Sequence, residues 1–138
     1  TVPSGMHRTL LLAAMSLACA HRAVAPPVPS LEHAWTVVPL GDMPVAPSPS
    51  ATLEFHVSGG TATGFTGCNR FRAPFAVDEL HGLKLGPILT TRRGCPPGMT
   101  DRAFLAALEQ TTHYRLDDGA LILLGAAGEE LLRMRRAD

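Results

Sequence analysis

The sequence predicts an α+β domain, mostly antiparallel β, with one packed helix. Three observations lead there. Apolar and polar residues alternate from Thr52, Asp117-Asp118-Gly119 joins two apolar runs, and one stretch after Thr100 carries apolar residues at helical spacing. Glycine (13) and proline (12) are both plentiful in the 138 residues, which favours turns and short strands over a helical bundle.

The chain opens like an exported protein. His7 and Arg8 follow Met6, an apolar run covers Leu10 to Met15 and resumes from Leu17 to Ala20, and small residues end it. That is the layout of a secretory signal peptide, and the run falls short of the roughly 20 apolar residues needed to cross a bilayer. Thr1 to Gly5 precede Met6, the initiator this reading implies. Ala18-Cys19-Ala20 satisfies the small-x-small rule for cleavage before His21. Ser16-Leu17-Ala18-Cys19 instead resembles a lipobox, in which Cys19 would be acylated. Ala23-Val24-Ala25 is a third candidate, opposed by Pro26. Residues 1–25 are therefore assigned to the leader, 26–33 to a stiff proline-rich linker and 34–136 to the folded domain. Both destinations, periplasm and outer-membrane lipoprotein, stay open, with Cys19 as the membrane anchor in the second.

Along the domain, Ala34 to Val38 reads as a short strand carrying the single tryptophan, Trp35. Gly41 to Ser50 holds Pro44, Pro47 and Pro49, so it is a loop. Leu53, Phe55 and Val57 are expected on one face of the next strand, with Glu54 and His56 on the other. Ser58-Gly59-Gly60 turns the chain into a second strand over Thr61 to Thr66. Arg70 to Val77 is a third strand, expected to be interrupted at Pro74. Asp78 to Gly82 is a turn, and Leu83, Leu85 and Ile88-Leu89 form another apolar stretch. A helix follows from about Asp101 to Gln110, with Thr100 as N-cap, Asp101 in the first turn and Phe104, Leu105 and Leu108 on one face. The last third is a meander through Tyr114 and Leu116, Ala120 to Leu124 and Glu129 to Arg135, where Leu132 and Met134 alternate with Arg133 and Arg135.

Lys+Arg and Asp+Glu both total 12, so no net field draws the chain to nucleic acid or acidic lipid. Of three cysteines, Cys19 lies in the leader, while Cys68 and Cys95 can pair in an oxidising compartment or stay as buried thiols. Pairing would contribute roughly 3–3.5 kcal/mol in the chain-entropy account.

Gly64-Phe65-Thr66-Gly67-Cys68-Asn69-Arg70-Phe71, then Thr91-Arg92-Arg93-Gly94-Cys95, then Phe104-Leu105 with Leu108, Tyr114, Leu116, Leu121 and Leu123, resemble the META domain family, the HslJ-like proteins. With Trp35, the match runs from about Leu31 to Arg135. The motif positions it singles out are Gly64, Gly67, Cys68, Asn69, Arg70, Thr91, Arg92 and Cys95. The resemblance implies a strongly curved antiparallel sheet, a partly open barrel, with a helix packed at one side. It also implies export, often as a lipoprotein, with links to heat shock or stress and no established enzymatic activity. Asp101 stands where a glutamate is common, and Leu132 and Met134 where an aromatic often sits.

Against that background a disulfide is the better reading of Cys68 and Cys95. A nucleophilic Cys68 would need a base such as His56 or His113. Those two histidines are on polar faces of different strands, and neither H-E-x-x-H nor Cys-x-x-Cys is present, so neither metal nor cofactor is expected. Asn69 is assigned to the turn after Cys68, since asparagine tolerates left-handed geometry. Arg92 and Arg93 either fix their loop or meet an acidic partner. The functional expectation is a non-enzymatic, monomeric envelope protein that binds another protein. The alternative is a carrier of lipid or another small apolar ligand, in a cavity lined by Phe55, Phe65, Phe71, Phe75, Leu85, Phe104 and Leu108, unless these side chains simply fill the core.

Overall fold

The computed structural model describes Gly5 and residues 31–38, 51–96 and 101–137. The leader with Cys19, the loop Gly41 to Ser50 and Thr100 lie outside the described residues. Nine strands build one antiparallel sheet: β1 (Ala34–Val38), β2 (Thr52–His56), β3 (Thr61–Phe65), β4 (Arg70–Val77), β5 (Leu83–Leu85), β6 (Leu89–Thr90), β7 (His113–Asp117), β8 (Ala120–Leu124) and β9 (Glu130–Arg136). Their order in space is β5-β4-β3-β2-β1-β9-β8-β7, with β6 also on β4. The two ends of that order meet. Leu83 N–H donates to the Thr112 carbonyl and Tyr114 N–H to the His81 carbonyl, both at 2.9 Å, beside a bridge between Gly82 and His113. The curved sheet is therefore a nearly closed barrel, as expected.

Alternation places the core. Leu53 and Phe55 of β2 are buried while Glu54 is exposed, and Phe71 and Ala73 of β4 are buried between exposed Arg70, Arg72 and Pro74. Val57 does not share the face of Leu53 and Phe55, because the chain has already left the strand in a 3-10 turn, Val57–Gly59, ended by Gly60. At the second predicted hairpin, Asp118 and Gly119 have φ of 50° and 79°, the left-handed pair of a type I′ turn.

Strand β4 runs unbroken through Pro74, contrary to expectation. Phe75 N–H faces β3 and reaches the Gly60 carbonyl, whereas the Pro74 carbonyl faces the other way and accepts from Gly86 N–H at 2.7 Å. The donor that proline lacks thus falls opposite the β5–β6 connection, outside the ladder. The apolar stretch beyond Leu83 splits into β5 and β6, and Leu89 ends up 67% exposed.

Helix α1 (Arg102–Gln110) packs on β5 and β9 and buries Phe104, Ala107 and Leu108. Thr111 terminates it, donating its hydroxyl to the Ala107 carbonyl at 2.8 Å. Inside the barrel, Phe71 meets Phe104 edge to face at 5.7 Å, and Phe55 meets Phe75 at 5.0 Å. Trp35 is fully buried, and its Nε1–H donates to the Leu31 carbonyl at 3.1 Å. Leu31 itself is fully buried in the core, so packing extends into the stretch assigned to the linker by composition. Ile122 is also buried although it is not part of the core cluster, and it sits in register between Arg115 and Arg133.

Candidate functional site

Cys68 and Cys95 are joined by a disulfide that ties the β3–β4 turn to the loop after β6. The sulfur of Cys68 is therefore not available as a nucleophile. Beside the bond, Asn69 is 5% exposed and organises the loop through its side chain. Its Oδ1 accepts from Arg93 N–H at 2.6 Å and from the Thr91 hydroxyl at 3.1 Å. Its Nδ2 donates to the Arg93 carbonyl at 3.3 Å and to Asp101 Oδ2 at 3.0 Å. Because Arg93 presents a backbone donor to one end of the amide and a backbone acceptor to the other, the amide can sit only one way round.

Two expectations change here. Asn69 does not supply the left-handed residue of the turn, since Gly67, at φ 97°, does that. Asp101 is not in the first turn of α1 but at its N-cap position, and its carboxylate makes no capping bond but accepts from Asn69. Thr66, fully buried, went unnoticed in the sequence. Its Oγ1 accepts from Cys68 N–H and Asn69 N–H at 3.2 and 2.9 Å, which shapes the turn. A threonine two and three residues before the bonded pair is the signal that could have revealed it. The loop is thus fixed by Asn69 acting on the Arg93 backbone, and the Arg92 side chain is exposed.

A groove of about 940 Å³ opens on the outer face of β2, β3, β4 and β6. Register sets its rows. Glu54, Thr63, Arg72 and Leu89 follow one another across the strands, as do Thr52, Phe65 and Arg70. Thr91 continues the second row, exchanging backbone and side-chain bonds with Arg70. Gly64 lies beneath the groove, where a β-carbon would collide with the Thr52 carbonyl oxygen and the Phe71 ring. His56 Nε2 lies 2.9 Å from the Thr63 hydroxyl. A smaller recess of about 290 Å³ shares Phe65, Arg70 and Thr91 with this groove and adds Cys68 and Arg93. The motif residues Gly64, Arg70 and Thr91 therefore line one surface, and the disulfide borders it. Phe65, expected to line an interior cavity, faces outward into this groove.

His56 and His113 do not come together, since β1, β9 and β8 separate their strands. His113 hydrogen-bonds the Thr112 hydroxyl. Near the barrel seam, backbone N–H groups of Gly82 and Leu80 donate to Asp78 and hold its carboxyl below the usual range. Burial, with a smaller contribution from Asp78, raises the Tyr114 hydroxyl above its ordinary value.

A nearly closed barrel with a helix packed on it, a disulfide-tied loop and an outer groove define a small, mostly β domain. Residues 29–138 match the META domain model, and the chain belongs to that family. It is similar to a protein from Burkholderia xenovorans solved by NMR, with 26% identity, 77% of this chain and 82% of the other covered, and a TM-score of 0.55. A DUF4847 family protein from Bacteroides vulgatus shares the fold at 14% identity, with 78% and 96% covered and a TM-score of 0.58. A comparison with curated proteins finds no match.

Proposed function

We propose that this chain is a non-enzymatic, monomeric protein of a bacterial-type cell envelope that acts by contact, holding another protein against its outer groove in envelope stress or assembly. One observation carries the reading: the family-motif residues Gly64, Arg70 and Thr91 converge on a solvent-open groove, beside a loop held by a disulfide. Leader-like residues at the start and a bonded cysteine pair support an oxidising compartment. A lipid carried inside the barrel has less support, because Phe55, Phe71, Phe104 and Leu108 are buried against one another and their neighbours in the core.

Site-specific photo-crosslinking in intact cells tests it. A crosslinker at Leu89, on the groove, should capture an envelope protein, and one at exposed Arg135, on the strand β9, should not. Equal capture from both positions, or none from Leu89, would overturn the reading.

A further inference from the structure

We propose that the groove takes an acidic peptide segment with an apolar anchor, its carboxylates on Arg70 and Arg72 and its anchor between Phe65 and Leu89. This rests on the reading above and names the chemistry of its partner.

Charge is the first argument. Arg70 and Arg72 are exposed on the outer face of β4, and Arg92 and Arg93 are exposed in the loop that follows β6. The ion pair between Glu130 and Arg133 involves none of them. The nearest carboxylate by register is Glu54, two strands from Arg72 across Thr63, which places their β-carbons about 10 Å apart. Among the described residues no carboxylate pairs with Arg70 and Arg72 on the groove or with Arg93 on the adjoining recess, and such guanidiniums suit bidentate capture of carboxylates from outside.

Apolar surface is the second argument. Phe65 is 36% exposed and Leu89 67%, two of the four large apolar side chains that the described domain leaves open. They stand on β3 and β6 with β4 between them. Between these anchors lie Arg70 and Arg72 of β4, and Thr52, Thr61, Thr63 and Thr90 also line the groove. A solvent-open groove that mixes apolar contacts with guanidiniums, a carboxylate and threonines fits a polypeptide, which carries both kinds of group, better than an acyl chain, which carries only one. The edge of the sheet agrees. Thr91 N–H donates to the Arg70 carbonyl, so by the twofold alternation of a strand the Thr90 backbone groups face away from β4, towards solvent or an incoming chain.

The test uses the purified, disulfide-bonded protein and fluorescence polarisation. The probes are an end-capped fluorescein-labelled peptide of glutamate and threonine with a single phenylalanine, the same peptide with lysine replacing glutamate, and phosphatidylglycerol vesicles. The acidic peptide should bind, the basic one should not, and raising salt should weaken binding. The double variant Arg70→Glu, Arg72→Glu, whose exposed positions leave folding intact, should bind the acidic peptide at least about tenfold more weakly and gain affinity for the basic one. Phe65→Ser should weaken binding of the acidic peptide while leaving its salt dependence unchanged. Acidic-peptide binding unaffected by the double variant, or tight binding to vesicles with none to peptide, would overturn the inference. If crosslinking at Leu89 still captured an envelope protein in those cases, the contact reading would stand and only the partner's chemistry would be wrong.

Discussion

At Asn69 one planar amide joins three parts of the chain, the turn after β3, the loop after β6 and the start of α1. Removing it with Asn69→Ala leaves partly buried groups without partners, and chemical denaturation should show a loss of about 2–3 kcal/mol. Asn69→Asp keeps the shape but replaces a donor with a second carboxylate facing Asp101. Repulsion then raises a carboxyl pKa in the folded state, so the defect should be largest at neutral pH and shrink on acidification. Tyr114 is the single tyrosine, so absorbance titration reads it alone. Its ionisation should lie above about 10. The associated stability is fully present below the unfolded pKa and is lost as pH rises through the folded one. For Asp78 the sign reverses: its contribution is present above the unfolded carboxyl pKa and is lost as pH falls through the depressed folded value. The motif pointed to Asn69 as a position that matters, yet its role was misjudged. Its partners lie 22 to 32 residues away, and local turn chemistry carries no information about them.

Strands and hairpins were legible because their signals are local: alternation in β2 and β9, Asp118-Gly119 before β8, and helical spacing in α1. What was not legible depends on pairing. Pro74 looked like a break until the direction of its neighbours' hydrogen bonds was known, and Phe65 looked like core until register put it on the face of Arg70 and Thr52. Gly64 belongs to the same class. Only the pairing of Leu53 with Gly64 and of Gly64 with Phe71 shows that a side chain has no room there. Gly64→Ala should therefore cost about 1–3 kcal/mol in unfolding free energy, and the chemical shifts of Phe71 should move with it. A neutral Gly64→Ala would mean that the β2–β3–β4 surface is not packed as described.

For the whole molecule, the closed sheet and the disulfide support each other. A sheet that closes on itself through Leu83, Thr112, His81 and Tyr114 leaves little edge to aggregate, and the disulfide ties a 27-residue separation onto that barrel. Reduction should lower stability by about 3 kcal/mol and loosen the Thr91-to-Cys95 loop first, visible as faster amide exchange at Arg93. The overall fold could be read from the sequence through local patterning together with the family motif. The groove could not, because it exists only where four strands lie side by side. The central claim is that this domain works outside the cytoplasm with its cysteine pair closed. Intact mass spectrometry of the protein recovered from cells without reductant tests that most directly. The account predicts a chain shortened at Cys19 or just after it, with Cys68 and Cys95 bonded. A chain that keeps its leader and has both thiols free would contradict it.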